Sequence, residues 1–318
     1  MRVVALVPGG IGDQILFFPT LDDIKRNYPD AEIDVVVEPR SKAAYRVSKS
    51  VSDVITFDFK DRSSPADWAN LLGVIRDRDH DVVFSLGRSW AIGLLLWLTG
   101  TPIRIGYATS GGKLFLTDSV PLKLDQYTAQ MYHDLLQGIG MNTPCPELTI
   151  TIPKSDLDWA EAEQKRLGIS SYVMIYDGLS DLTQAKGVSQ RYPVEKWQQI
   201  VQDFQQRQPD LPIVVAQGAN DAEFVSALVK ACPTLKVTKP SDIGKLAAMI
   251  AGANLMICTE SAPMHLAVAL QVYTLVLFGF TDPEKLLPQN DKFVGIKAPS
   301  GKIADIDPGV VLAKVWGG

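Results

Sequence analysis

Two segments combine small residues with a carboxylate at the start of a predicted helix. The first, Pro8-Gly9-Gly10-Ile11-Gly12-Asp13, directly follows an apolar run. Glycines such as Gly10 and Gly12 let another molecule approach the backbone closely, and free N–H groups at a helix start attract an anion. Asp13 is therefore a candidate general base; the plain alternative is that it caps the helix. The spacing matches neither G-x-G-x-x-G nor a P-loop, since no Gly-Lys-Ser/Thr follows.

The second segment is Cys258-Thr259-Glu260-Ser261-Ala262-Pro263-Met264-His265-Leu266. Ser261 is a good N-cap, and Pro263 suits the first helical turn. His265 would lie one turn further on the same side as Ser261, so the helix start and both side chains could bind a diphosphate. Glu260 suits accepting hydrogen bonds from sugar hydroxyls. The alternative is that Ser261 only caps the helix and His265 packs against a neighbour.

A third segment, residues 177–191, is rich in glycine and small polar residues, a composition typical of a functional lid or a mobile loop. Ser180 and Arg191 are candidates to hold phosphate oxygens, Arg191 through its planar fork. The alternative is a solvated loop with Arg191 paired to a surface acid. A further polar turn, residues 217–223, contains Asp221, for which helix capping is the plain interpretation.

Short β-branched runs alternate with helical patterns along the whole chain, which predicts a doubly wound, parallel α/β architecture. Strands are predicted at Val3–Val7, Ile33–Val37, Val54–Phe57, Val82–Leu86, Val173–Tyr176, Ile213–Ala216, Leu235–Val237, Leu255–Cys258 and Thr274–Phe278. At roughly 150 residues per domain, 318 residues predict two domains. We place them at 1–153 and 154–318 and expect two Rossmann-like halves facing a central cleft. The last helix is a candidate to pack back on the first domain.

Composition excludes several classes of protein. Hydrophobic residues make up 46% and charged residues 21%, and the net charge is −5. Neither half is basic, so no nucleic-acid partner is expected. The three cysteines fit no zinc pattern and are expected to be buried thiols in a reducing cytosol. The apolar stretch after Met1-Arg2 is too short for a signal peptide.

No segment has the 18 or so consecutive apolar residues that a spanning helix needs. The most apolar stretch, Trp90–Leu98, suits a buried helix packed against the sheet. The alternative is a helix face that touches a bilayer interface, because Arg88, Trp90 and Arg104 flank or begin it.

Three motifs together resemble glycosyltransferase family 9, the ADP-heptose:lipopolysaccharide heptosyltransferases. The first is Gly10-Ile11-Gly12-Asp13 with Pro19, and the second is Arg191-Tyr192-Pro193-Val194-Glu195-Lys196-Trp197. The third runs from Glu260 to Leu270 and continues through Val276-Leu277-Phe278-Gly279-Phe280-Thr281-Asp282-Pro283. The resemblance extends from Arg2 to about Val315.

The resemblance implies a GT-B fold, with an N-terminal acceptor-binding domain and a C-terminal domain for a nucleoside-diphosphate sugar. It implies inverting transfer with Asp13 as catalytic base, without a metal or other cofactor. The acceptor would be a saccharide or lipid-linked saccharide, in a cytoplasmic protein that touches the inner membrane face peripherally. Residues expected to bind the donor are Gly10, Gly12, Ser180, Lys186, Gln190, Arg191, Asp221, Glu223, Glu260, Ser261, Ala262 and His265.

The chain departs from the family pattern at three of these positions. Gln190 stands at the family's phosphate lysine, for which Arg191 and Lys186 are adjacent replacements. The family usually has Asp at Glu260 and Gly at Ala262. A catalytically decayed member that binds nucleotide sugar without turnover is therefore one alternative. A nicotinamide-dependent oxidoreductase is another, disfavoured because no G-x-G-x-x-G follows either first strand.

Overall fold

The structure, a computed structural model, describes residues 1–59, 64–109, 112–178 and 191–317. The chain divides into two compact units, Met1–Thr149 and Ile150–Gly318. The sequence placed this boundary slightly later, between residues 153 and 154. No helix in the described ranges is long and apolar enough to cross a membrane.

The first unit is built on a six-stranded sheet in the order β3-β2-β1-β4-β5-β6, and its strand pairs are parallel. Residues Val3 to Val7 are all buried, because helices cover both faces of the sheet. The elements are β1 (Arg2–Val7), α1 (Ile11–Asn27), β2 (Glu32–Val37), β3 (Asp53–Thr56), α2 (Pro65–Arg76), β4 (Val82–Ser85), α3 (Trp90–Leu98), β5 (Ile103–Tyr107), β6 (Asp118–Val120) and α4 (Thr128–His133). Short 3-10 helices occupy Pro39–Val47, Lys113–Phe115 and Asp134–Ile139.

The second unit repeats this topology in the order β12-β11-β10-β7-β8-β9, again with parallel pairs. Its elements are α5 (Lys154–Leu167), β7 (Val173–Tyr176), α6 (Val194–Arg207), β8 (Ile213–Ala216), α7 (Ala222–Ala231), β9 (Lys236–Thr238), α8 (Ile243–Ala251), β10 (Leu255–Thr259), α9 (Ala262–Ala269), β11 (Thr274–Phe278), α10 (Pro283–Leu286), β12 (Phe293–Lys297) and α11 (Pro308–Trp316). A 3-10 turn spans Ile303–Asp305.

Helix α6 shows how the second core forms. Trp197, Ile200, Val201 and Phe204 recur at helical spacing and are all buried in the core of this unit. The last helix, α11, packs on α6 of the same unit, where the Trp316 ring lies 4.9 Å from that of Phe204. The sequence had offered α11 as a candidate to pack on the first domain.

In each sheet the strand order reverses at one point, between β1 and β4 in the first unit and between β7 and β10 in the second. Ligands of open parallel sheets bind beyond the carboxyl ends of the strands at this point. The segments that leave these four strands begin at Pro8, Leu86, Asp177 and Glu260. Three of them are the segments that the sequence singled out.

Strands β5, β6 and β12 were not predicted. They lie toward one edge of each sheet and carry Arg104, Gly106, Asp118 or Gly295 where a continuous apolar run would be. The central strands, buried on both faces, were all predicted. The three cysteines are free thiols; Cys232 and Cys258 are buried as expected, whereas Cys145 is half-buried.

Candidate functional site

Asp13 lies in the first turn of α1, and donors hold both of its carboxylate oxygens. The backbone N–H of Gly10 donates to Oδ2 at 2.8 Å, and the Tyr132 hydroxyl donates to Oδ1 at 2.9 Å. The alternative that Asp13 caps the helix is confirmed in part: Gly10 is the N-cap residue, and the bond from its N–H to Asp13, at the third helical position, is that of a capping box. Burial and the adjacent Asp13 raise the pKa of Tyr132 well above its ordinary value, so this hydroxyl keeps its proton. The half-exposed Asp13 carboxylate is thus held in one orientation.

The glycine loop before Asp13 is tied to its surroundings. The buried side chain of Gln14 donates from Nε2 to the Val7 carbonyl at 3.0 Å and accepts from the Tyr45 hydroxyl at 2.7 Å. The Ser41 hydroxyl donates to the Gly9 carbonyl at 2.7 Å. Gly9 has φ +132, and a β-carbon there would overlap the carboxylate of Asp13, with Cγ only 2.8 Å away. Only glycine therefore fits the position that lets Asp13 reach back over the loop.

In the second unit, α9 begins directly after β10 with Ser261 as its N-cap residue. The Ser261 hydroxyl donates to the Thr259 carbonyl at 3.1 Å and makes no capping bond, so the plain interpretation of Ser261 as a side-chain cap is wrong. Its position nevertheless places Ala262 in the first turn, where the backbone N–H has no helical partner. Pro263 has no N–H to offer, and the Met264 N–H donates to the Ser261 carbonyl at 3.1 Å.

His265 lies one turn into α9 and is almost completely buried. Its Nδ1 has no hydrogen-bond partner among the described residues. Burial lowers the pKa of His265 to about 3, so the ring is neutral near pH 7. It can contribute one N–H donor to a ligand, but no positive charge.

Glu260 lies between β10 and the N-cap residue and is also buried. Its Oε1 accepts a hydrogen bond from the Thr281 hydroxyl at 2.9 Å. Thr281 follows β11, the strand next to β10, so two neighbouring strand ends hold this carboxylate. The sequence indicated Thr281 only as part of the third motif and predicted no role for it.

Arg191 is fixed by acceptors from two loops. Its Nη2 lies 2.6 Å from Oδ1 of Asp221, and its Nη1 donates to the Asp177 carbonyl at 2.6 Å. The guanidinium also lies 5.0 Å from the centre of the Phe224 ring. Asp221 is the N-cap residue of α7, as predicted, although its side chain accepts from the Gly218 N–H at 3.2 Å and makes no capping bond. The charge of Arg191 is therefore already matched by a protein carboxylate.

Asp177, the first residue after β7, is a buried acid that sequence reasoning missed. Its Oδ2 accepts from the Tyr192 backbone N–H at 3.0 Å and the Trp197 indole N–H at 2.7 Å. Oδ1 lies 3.9 Å from Nη1 of Arg191. Burial raises the pKa of Asp177 to about 7 despite these partners. Asp177 therefore ties the end of β7 to Tyr192 and Trp197, just after Arg191.

The remaining predicted donor residues fall into two groups. Glu223 is exposed in the first turn of α7. Ser180, Lys186 and Gln190 lie outside the described residues.

Within the described ranges, no group of three or more His, Cys, Asp or Glu side chains is placed to hold a metal ion. Asp307, part of an Asp-Ile-Asp sequence near the C-terminus, caps α11 through a 2.6 Å bond from the Gly309 N–H.

Two doubly wound units, each with a helix that begins beyond the switch point of its parallel sheet, have the architecture of a GT-B glycosyltransferase. Comparison with known proteins agrees, since residues 68–312 match glycosyltransferase family 9 (heptosyltransferase). The chain belongs to this family and is a glycosyltransferase by descent.

Two known proteins and one solved structure are similar to this chain. A photosynthetic NDH subunit of subcomplex B 1 from the chloroplast of Arabidopsis thaliana is 26% identical, over 98% of this chain and 72% of that protein. Lipopolysaccharide heptosyltransferase 3 of Escherichia coli is 23% identical, over 85% of this chain and 81% of that protein. The solved structure of E. coli ADP-heptose lps heptosyltransferase II has a TM-score of 0.79 at 17% identity, covering 100% of this chain and 98% of that one.

Proposed function

We propose that this protein transfers a sugar, with inversion, from a nucleoside diphosphate to a saccharide acceptor, and that Asp13 is the general base. The observation that carries the proposal is the setting of the Asp13 carboxylate. It is half-exposed at the carboxyl end of β1, where the strand order reverses, and donors hold both oxygens in one orientation. A fixed, accessible carboxylate at this edge suits proton removal from a bound hydroxyl.

In the proposed step, Asp13 accepts the proton of the acceptor hydroxyl as its oxygen attacks the anomeric carbon of the donor. The bond from that carbon to the diphosphate oxygen breaks, and the nucleoside diphosphate leaves with both electrons. Attack from the face opposite the leaving group inverts the anomeric configuration. General-base assistance of this kind contributes roughly 10²–10⁴-fold.

The second unit would hold the leaving diphosphate. The Ala262 N–H at the start of α9 and the neutral His265 ring would supply hydrogen bonds to oxygens whose charge grows as the bond breaks. Arg191 adds a guanidinium that Asp221 keeps in one orientation. Because Asp221 already balances that charge, we assign more of the diphosphate binding to the helix start than to Arg191.

We assign the donor to the ADP-heptose class and the acceptor to a lipopolysaccharide precursor. Support comes from relatives whose names state lipopolysaccharide heptosyl transfer and, for one, ADP-heptose. A lipid-linked acceptor would bring the protein to the cytoplasmic membrane face as a peripheral protein.

The test is turnover with a panel of nucleotide sugars and a lipopolysaccharide-core acceptor, read by proton NMR. We expect one donor to give a product whose anomeric configuration is opposite to that of the donor. Retention of configuration contradicts the proposed mechanism, and absence of product with every donor contradicts the transferase function.

A second candidate function is binding of a nucleotide sugar without turnover. It is favoured by Ala262 and Gln190 at positions where the family has Gly and Lys, and by the pairing of Arg191 with Asp221. The Arabidopsis relative is named as a subunit of a photosynthetic complex. Calorimetric binding of a nucleotide sugar that is never consumed would favour this candidate.

A further inference from the structure

Helix α3 of the first unit exposes a large apolar stripe. Ile92, Leu95 and Leu96 face the core, as predicted for a helix packed against the sheet. The opposite side of the helix is uncovered. Trp90 is 62% exposed and Trp97 54%.

The stripe continues beyond the helix. Trp90, Leu94, Trp97 and Leu98 follow helical spacing and share one side of α3. The 3-10 turn Lys113–Phe115 extends this surface, since the rings of Trp97 and Phe115 lie 6.5 Å apart and the neighbouring Leu114 is 87% exposed. Isolated exposed apolar residues are ordinary, but two tryptophans and two leucines on adjoining elements mark a binding surface.

The charged residues in the part of the chain that carries the stripe have one sign. Between Asp81 and Asp118 the sequence has no Asp or Glu, whereas Arg88, Arg104 and Lys113 fall in this interval. Among the described residues, no carboxylate lies within ion-pair distance of Arg88 or Lys113, and both are exposed. This contrasts with the chain as a whole, whose net charge is −5.

We infer that the stripe Trp90, Leu94, Trp97, Leu98 and Leu114 docks the protein on an anionic lipid surface. Tryptophan suits the boundary between headgroups and acyl chains because its ring is apolar and its N–H is polar. Basic residues beside an inserted apolar face add attraction to anionic headgroups, about fivefold in affinity for each Lys or Arg. The exposed tryptophans lie in a chain segment that contains Arg104 and Lys113 and no acidic residue, which favours a lipid surface over an acceptor of neutral chemistry.

The position of the stripe fits the proposed acceptor. Four residues separate β4 from α3, and β4 pairs with β1, whose carboxyl end leads to Asp13. The start of α3 and the base therefore belong to neighbouring segments at the same edge of one sheet. The link between the stripe and the acceptor rests on the proposed function. Binding to vesicles does not, because it can be measured without any transferase assay.

The experiment is co-sedimentation of the full chain with vesicles of phosphatidylcholine alone or of an equimolar mixture with phosphatidylglycerol. We expect binding to the anionic vesicles, weakened by salt. The double substitution Trp90→Ser, Trp97→Ser should lower the affinity roughly tenfold or more. Its matched control is Leu157→Ser, Tyr273→Ser, which removes exposed apolar side chains from the second unit and should not change binding.

Charge is tested with Arg88→Glu, Lys113→Glu against Lys154→Glu, an exposed lysine of the second unit. Only the first variant should lose affinity for anionic vesicles. Failure of the unsubstituted chain to bind them, or equal binding by the Trp variant, would overturn the inference. A second copy of the chain is the other possible occupant of the stripe. If the unsubstituted chain is an oligomer that binds no vesicles, and the Trp variant elutes as a monomer in size-exclusion chromatography, the inference is also overturned. Transfer to a water-soluble acceptor should be unchanged in the Trp variant, which separates this result from failure of the proposed function.

Discussion

Replacing Gly9 by alanine should displace the carboxylate of Asp13, the proposed base, at a moderate cost in stability. The alanine β-carbon would overlap Asp13, and φ +132 is a conformation that residues with a side chain rarely adopt. Backbone strain of this kind costs about 1–3 kcal/mol of stability. The carboxylate must also shift, and a misplacement of about 1 Å can lower a rate about 100-fold. We therefore expect kcat of Gly9→Ala to fall about 100-fold.

The matched control is Gly140→Ala in the same unit. Gly140 has φ +77, and a β-carbon there would meet nothing within 4 Å. It carries backbone strain without touching Asp13, so its free energy of unfolding should fall while kcat stays near normal. Urea unfolding and a steady-state assay of nucleoside-diphosphate release measure both quantities. Full kcat in Gly9→Ala, or equal loss of kcat in the two variants, would refute the reasoning.

Three further predictions concern single contacts. Tyr132→Phe removes one of the hydrogen bonds that orient Asp13, each worth about 1.5–3 kcal/mol when it reaches a charged group; the free energy of unfolding should fall by up to that amount and kcat at least tenfold in protein that is still folded, and an unaltered kcat would argue against positioning. Arg191→Lys should raise the donor KM roughly tenfold, because an ammonium cannot reproduce the planar fork; an unchanged donor KM discards a role in donor binding. The pKa of Asp177 is raised from 3.8 to about 7, so its protonated form is favoured in the folded state. Relative to Asp177→Asn, the unsubstituted chain should therefore lose stability as pH rises from about 4 to about 7 and change little above that; parallel unfolding curves across this range would contradict it.

The fold could be predicted because its signals are local. Parallel strands buried on both faces need continuous apolar runs, and those of β1, β7, β8 and β11 are visible in the sequence. Strands nearer the sheet edges escape this pattern. Strand β5, for example, contains an arginine and a glycine and was not recognised.

The site could be predicted only in part, because its side-chain partners are decided by tertiary contacts. Asp13 and His265 follow strand ends, which a sequence can indicate. Tyr132 and Asp13 are 119 residues apart in the sequence, and no local pattern predicts their contact. Ser261 and Asp221 occupy N-cap positions as their residue types predict, but nearer partners take their side chains. A burial-driven shift such as that of Asp177 depends on the packed core around it.

The role of Asp13 is tested most directly by comparing two substitutions that are locally alike. Asp67 in α2, like Asp13 in α1, lies in the first helical turn and accepts a hydrogen bond from the backbone N–H of the N-cap residue. Asp13→Asn and Asp67→Asn therefore disturb similar helix starts, but only the first removes the proposed base. With donor binding checked by calorimetry, we predict that Asp13→Asn lowers kcat by about 10²–10⁴-fold at an unchanged donor Kd, while Asp67→Asn keeps its activity. Full turnover by Asp13→Asn would contradict the account.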